Sequence, residues 1–279
     1  MKATILVDST RAGNLKAEWG LCILVEYNKK NILIDTGASN NFLKNAQMCG
    51  IDISNVDVGV LSHAHYDHAN GFGAFFAVNN HAKFYLLKAC KENCYSSRRF
   101  YNKYIGIKKG SLQKYKNRLV FIDKTHTLMK GVTLVSNEPQ NAKIIQSEKL
   151  KATGHTKGTL LVKNGKNWHY DTFDHEQIIV FETEKGLIVF TTCAHKGVIN
   201  TVQEVKNSFP DKKIYALVGG FHLHRKSENE VAKIGIALAK TEIQQIYTGH
   251  CTGEQSFEIL KKYLHQRLFH LHTGLIMKF

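Results

Sequence analysis

Short aliphatic runs recur along the chain at strand length. Ala3–Asp8, Leu21–Tyr27, Asn31–Asp35 and Val56–Ser62 supply four in the first quarter. Between the third and fourth, Ser39–Cys49 carries Phe42, Ala46 and Cys49 at helical spacing, with Ser39 placed to cap and Gly50 to stop the helix. Strand-like runs resume at Phe84–Leu87, Leu119–Asp123, Val132–Ser136, Gln177–Glu182 and Leu187–Thr191. In the last third, Val198, Val202, Val205 and Phe209 form one apolar face of a helix ending at Pro210-Asp211. Lys213–Val218 then reads as a strand, Val231, Ile234 and Leu238 as a helix, Ile243–Tyr247 as a strand, and Phe257, Leu260 and Leu264 as a closing helix. Strands and helices interleaved in this way predict an α/β protein. With no repeat, low-complexity tract or linker, the reading is a single domain over 1–279.

Composition narrows the class. Hydrophobic residues make up 43% and charged residues 22% of 279 residues, which is globular rather than disordered. The longest apolar runs, such as Gly20–Val25 and Ile178–Phe181, are far too short to span a bilayer, and the N-terminal run has no cleavage pattern. Six cysteines are too sparse for a disulfide scaffold in a chain of this length. The expectation is a soluble cytoplasmic protein with no membrane partner; its oligomeric state is left open. Fifteen histidines are a high share, and histidine is the commonest metal ligand.

Their spacing carries chemistry in Val56–Gly71, where an aliphatic strand runs into His63-x-His65-x-Asp67-His68. Alternate residues of extended backbone point the same way, so His63 and His65 can reach one ion together. Asp67 and His68 follow where the chain turns and can face a second. Imidazole and carboxylate without thiolate suit zinc, manganese or iron, and two adjacent ions suit hydrolysis.

This segment resembles the signature of the metallo-β-lactamase superfamily, and Ile34-Asp35-Thr36-Gly37 resembles that family's upstream Asp-x-Gly turn. The resemblance implies an αββα sandwich, two mixed sheets flanked by helices, with the metal site at one open edge. It places Asp35 behind the site, as a carboxylate orienting a ligand. Three later segments, Thr192–Gly197, Gly219–Leu223 and Thr248–Gly253, resemble the branch containing the methanopterin-type dihydropteroate synthases. Carried over by position, His195 completes the first ion's ligands, and His250 joins Asp67 and His68 on the second. His155, in Thr153–Gly158, has a similar local pattern but comes too early relative to the following strands, so His195 ranks above it. Most relatives bridge the ions with an Asp near position 193. Here the strand ends in Thr191-Thr192-Cys193, so that carboxylate is missing, and Cys193 is either a thiolate donor or an inert buried thiol. His222 ends a strand on the same edge and is a candidate catalytic residue with Asp67. Glu176 either touches the site or faces water.

The net charge of +15 is concentrated. Residues 88–118 hold ten Lys/Arg against Glu92 alone, interleaved with Tyr95, Phe100, Tyr101, Tyr104 and Tyr115. This basic insertion favours an anionic, planar ligand, with Arg98, Arg99, Lys103 and Tyr101 as candidate contacts. A plainer reading is a solvated helical pair, and Cys90-x3-Cys94, at one-turn helical spacing, reads as structural. The expected activity is hydrolysis of an anionic, phosphorylated small molecule through a metal-activated water, with two zinc ions as cofactor and manganese or iron as other fits. The alternatives are a transferase joining a pterin diphosphate to an arylamine, and a less favoured nucleic-acid-binding protein or nuclease. The redox branch of the superfamily fits worse, since it usually has Glu where His65 stands.

Overall fold

The structure is a computed structural model that describes residues 1–136 and 156–279. His155 lies outside the described residues. Two seven-stranded mixed sheets form the body. In the first, the order is β18 (Ile276–Lys278), β1 (Lys2–Val7), β2 (Cys22–Tyr27), β3 (Lys30–Ile34), β4 (Val58–Val60), β5 (Lys83–Leu87) and β8 (Leu119–Ile122). The second runs β17 (Leu268–His270), β16 (Gln245–Thr248), β15 (Ile214–Gly219), β14 (Gly186–Phe190), β13 (Gln177–Thr183), β10 (Val132–Ser136) and β9 (His126–Met129). β3 to β8 pair in parallel in the first sheet, and β14 to β17 do so in the second.

Burial on both faces explains why the strands of the second sheet read as unbroken apolar runs rather than alternating ones. In β14, Ile188 and Phe190 enter the core between the two sheets, while Leu187 and Val189 enter a second core on the opposite face. β13 divides likewise, Ile179 and Phe181 against Ile178 and Val180. The second core is closed by three helices whose apolar spacing was legible in the sequence: α5 (Val198–Ser208), α6 (Glu228–Ala239) and α7 (Glu254–Leu264). On the first sheet, Phe42 and Ala46 of α1 (Asn41–Met48) and Phe72 and Phe75 of α3 (Phe72–Val78) join the inter-sheet core cluster. This is the expected αββα layering. Each of these fully buried aliphatic or aromatic side chains contributes about 1.5–3 kcal/mol relative to exposure.

A third sheet of four strands was not foreseen. Its order is β12 (Asn167–Tyr170), β11 (Leu160–Asn164), β6 (Cys94–Ser97) and β7 (Asn102–Tyr104). The basic segment therefore forms a hairpin followed by the single turn α4 (Ser111–Lys114), not a helical pair. Cys94 lies on strand β6, so the helical spacing of Cys90 and Cys94 is not realised. The run Cys-Tyr-Ser-Ser has no aliphatic β-branched residue to announce it, and its pairing partner Leu160–Val162 is more than 60 positions away. The chain after β7 returns to the metal-motif loop: Tyr66 N donates to Ile105 O (2.9 Å) and Ile107 N to Ala64 O (3.1 Å).

Candidate metal centre

Every segment of the cluster follows the carboxyl end of a parallel strand, where α/β sheets present their ligand sites. Asp35 follows β3, His63 to His68 follow β4, Cys193 and His195 follow β14, His222 follows β15 and His250 follows β16. The short helix α2 (Tyr66–Ala69) turns Asp67 and His68 back toward the site. Gly71 permits that turn to press on the Asp35 loop, since a Cβ there would stand 2.1 Å from Thr36 O. Backbone strain is gathered at the same edge. Asp35, Ala194, His222 and His250 all adopt left-handed φ, of 59°, 47°, 51° and 49°. Such conformations cost about 1–3 kcal/mol each and persist where the surroundings impose them.

The structure brings all six sequence-derived candidate ligands together. Ring centroids lie 4.7 Å apart for His63–His65, 4.9 Å for His63–His195 and 4.7 Å for His65–His195. Potential ligand atoms of these three fall within 4.8 Å of one another. Asp67 Oδ2 is 3.9 Å from His68 Nε2 and 3.7 Å from His250 Nε2. Cys193 joins the two halves: its Sγ is 3.3 Å from His68 Nε2 and 3.4 Å from Cys251 Sγ, and it groups with His63 and His68 as well as with His195 and His222.

Asp35 stands behind the cluster. Its carboxylate accepts from Ser62 N, Ser62 Oγ and His68 Nδ1, each at 2.7 Å. Ser62 Oγ also meets His63 Nδ1 at 2.9 Å and receives the Thr192 hydroxyl. Glu176 neither faces water nor enters the cluster. It is buried, and its two oxygens accept from the backbone of His195 (2.8 Å) and Lys196 (3.2 Å), bracing the loop that carries His195.

Buried polar atoms are nearly always paired. Here His63 Nε2, His65 Nε2, both nitrogens of His195, His222 Nδ1 and His250 Nε2 are buried without a hydrogen-bond partner. Burial, reinforced by the neighbouring imidazoles, holds His63 and His195 well below the usual histidine range, and brings His250 down to about 3. Burial works against ionisation of Asp67, but the rings of His68, His250 and His65 outweigh it and lower its pKa. At neutral pH His63, His195 and His250 are thus unprotonated imidazoles, the donor state a divalent cation requires. His65 is the exception. Burial alone would lower it, whereas Asp171 and Cys94 raise it to about 9.

A cavity of about 350 Å³ opens over the cluster. Arg98 and Lys103 line it; Arg99 and Tyr101 do not, and Tyr101 is exposed. Two other basic residues of 88–118 are engaged elsewhere, Lys88 with Asp123 and Arg118 with the carbonyls of Ala82 and Asn79. Sequence reasoning missed Trp19, Tyr66 and Arg225, which also line the cavity. The Trp19 ring lies 5.2 Å from His250 and 5.6 Å from His224. Nothing local in the sequence marks Trp19 or Arg225. Of the loop 171–176 only Glu176 was singled out; Asp171, Phe173 and His175 were missed, although four such residues within six positions just before a strand were readable. Phe173 stacks on His195 at 4.4 Å with an interplanar angle of 1°.

Comparison with known proteins agrees with this fold. Residues 20–145 match the family model of the metallo-β-lactamase superfamily. The chain is 28% identical over 275 residues to the 7,8-dihydropterin-6-methyl-4-(β-D-ribofuranosyl)-aminobenzene-5'-phosphate synthase of Methanocaldococcus jannaschii, covering 94% of this chain and 90% of that one. Among solved structures it is similar to Tm1679, a metal-dependent hydrolase of the β-lactamase superfamily, with 28% identity, a TM-score of 0.82, and coverage of 100% of this chain and 99% of that one. Zn²⁺-bound PqqB from Methylobacterium extorquens shares the fold at 12% identity and a TM-score of 0.56, each chain being covered fully.

Proposed function

For a chain of the metallo-β-lactamase superfamily with this donor set, we propose a metal-dependent hydrolase acting on a phosphorylated, planar small molecule. The observation that carries the reading is the cavity itself. Its floor includes His65, His195 and His222, each with an unpartnered ring nitrogen, and its wall holds Arg98, Lys103 and Arg225 beside the aromatic rings of Trp19 and Tyr66. Guanidinium groups bind phosphate oxygens in pairs, and an aromatic face receives a flat ring.

His63, His65 and His195 would hold one zinc ion, and Asp67, His68 and His250 a second, and Cys193, whose Sγ is 3.3 Å from His68 Nε2, would be a further donor where the carboxylate is missing. Bound there, zinc would supply Lewis acidity and bring the pKa of a water toward neutrality. The protein groups do the rest. Asp67, held ionised, is positioned to accept the proton of an attacking water. His222, whose ring centroid is 4.3 Å from that of His195, is placed to hydrogen-bond a leaving-group oxygen. Arg98, Lys103 and Arg225 fix the phosphate, and binding orients the reacting bond over the cluster.

A second reading, a transferase joining a pterin diphosphate to an arylamine, is favoured by the likeness to the Methanocaldococcus synthase over most of both chains. The test is to incubate zinc-loaded protein with phosphomonoesters and diesters, and separately with a pterin diphosphate and an arylamine. Hydrolysis that is lost in Asp67→Ala and shows a raised KM in Arg225→Gln supports the first reading. A coupled pterin–arylamine product without hydrolysis replaces it with the second. Retained hydrolysis in Asp67→Ala contradicts the role given to Asp67.

A further inference from the structure

Asp171 lies in the loop between β12 and β13 and takes no part in the chemistry above. Its side chain is 2% exposed. Oδ1 accepts from Phe173 N at 2.9 Å, which holds the carboxylate in a turn of its own loop. Oδ2 stands between two imidazoles, 3.2 Å from His175 Nε2 and 3.9 Å from His65 Nε2.

The proton positions on one side follow from the backbone. Ala64 N donates to His175 Nδ1 at 3.2 Å, so Nδ1 is the acceptor and Nε2 carries the hydrogen that Asp171 receives. Ala64 is the residue between His63 and His65. The same loop therefore holds the His-x-His segment by its backbone, through His175, and faces one of its rings with a carboxylate. His65 Nε2 is buried and has no hydrogen-bond partner, and Asp171 Oδ2 is the carboxylate oxygen beside it. Across the cluster, Asp35 hydrogen-bonds His68 Nδ1 at 2.7 Å, a closer contact than the 3.9 Å between Asp171 and His65. Each half of the ligand set thus has one buried carboxylate behind one of its rings.

We propose that Asp171 is a positioning residue for His65: its carboxylate, 3.9 Å from Nε2, electrostatically favours the tautomer with the proton on that nitrogen and leaves the Nδ1 lone pair for the set shared with His63 and His195. An imidazole has only two ring nitrogens, so the partner of one decides the role of the other. The proposal rests on reading those histidines as metal ligands. Cys94 and His175 back the carboxylate, Cys94 Sγ lying 3.7 Å from His175 Nε2. This gives the unforeseen third sheet, through β6, a direct connection to the ligand set.

The test uses the full chain and Asp171→Asn, which keeps size and shape but puts an amide where the acceptor was. Zinc affinity is read by competition with a chromophoric chelator, and the tautomer of the His65 ring by ¹⁵N NMR on zinc-free protein at a pH high enough that the ring is neutral. The expected result is an apparent zinc dissociation constant about 10–100-fold higher in Asp171→Asn, partly recovered in Asp171→Glu, with the circular dichroism spectrum unchanged. A merely structural residue would lower the melting temperature and leave zinc affinity alone, and that outcome overturns the proposal. If the Asn variant does not fold, wild-type NMR decides: a proton on His65 Nε2 is expected, and a bare Nε2 with the proton on Nδ1 refutes. A wild type that binds no zinc overturns the metal reading of the site, while the position of the His65 proton still decides for or against Asp171.

Discussion

Asp35→Asn separates the two things that Asp35 does. The residue sits at φ 59°, a conformation that Asn adopts more readily than most residues, so the substitution leaves the backbone in place and changes only the inventory of protons. Three donors converge on the carboxylate, all at 2.7 Å and all buried: Ser62 N and Ser62 Oγ–H, together with His68 Nδ1–H. An Asn oxygen placed on Ser62 N preserves the first bond. The amide nitrogen then faces Ser62 Oγ, which can reverse and accept, and His68 Nδ1, which must become an acceptor. Only the His68 partner is forced to change tautomer, moving its hydrogen to Nε2, the atom that faces Asp67 and Cys193. Exchanging charged for neutral hydrogen bonds at two contacts should cost about 2–3 kcal/mol of folding stability, at roughly 1–1.5 kcal/mol each. The functional cost is larger, because a protonated Nε2 cannot ligate. Zinc affinity at the Asp67–His68–His250 set should fall about 10–100-fold. Denaturant unfolding measures the first quantity and chelator competition the second. An Asn variant that loses stability but binds zinc as tightly as wild type would refute the assignment of Asp35 to His68.

Glu176→Gln keeps one oxygen for a backbone amide and turns an NH₂ toward the other, so one of the His195 and Lys196 amides loses its acceptor. The expected cost is about 1–3 kcal/mol in unfolding free energy, with weaker zinc binding at the His63–His65–His195 set; unchanged values on both counts would contradict the bracing role. The start of α6 supplies a prediction remote from the site. Ser227 and Glu230 form a reciprocal capping box, and Ser227→Ala should cost about 1 kcal/mol by denaturant unfolding. The Lys226 ammonium and the Ser227 amide and hydroxyl hold the Glu230 carboxyl down at about 2, below its usual 4.5. That contribution is present above pH 4.5 and is lost as pH falls from 4.5 through 2, so the stability difference between wild type and Glu230→Gln should shrink over that interval.

The parts of the fold legible in the sequence are those whose residues bury themselves by a simple period. Runs such as Leu187–Thr191, and helices such as Val198-x3-Val202-x2-Val205, declare their partners through burial on one or both faces. β6 and β7 do not. Cys94–Ser97 and Asn102–Tyr104 are polar and short, and they become strands because Leu160–Val162 arrives from far along the chain. The clustering of the candidate ligands was readable because His63-x-His65-x-Asp67-His68 is contiguous and because strand ends in an α/β sheet converge on one edge. What surrounds them was only partly so. Asp35 entered by its turn motif, whereas Trp19 and Arg225 reach the cavity from loops whose positions depend on the whole assembled body. The basic segment misled in proportion to its charge: Arg98 and Lys103 reach the cavity, while Arg118 and Lys88 are used by neighbouring backbone and carboxylate.

Metal content tests the central claim most directly. Protein purified without chelator or affinity metal, then reconstituted with zinc and dialysed, should carry two equivalents per chain by mass spectrometry. His68→Ala should lower that toward one, since it removes a ligand from one set and leaves His63, His65 and His195 intact. A wild type with no bound zinc after reconstitution, or a count unchanged in His68→Ala, would contradict the dinuclear centre on which the proposed chemistry depends.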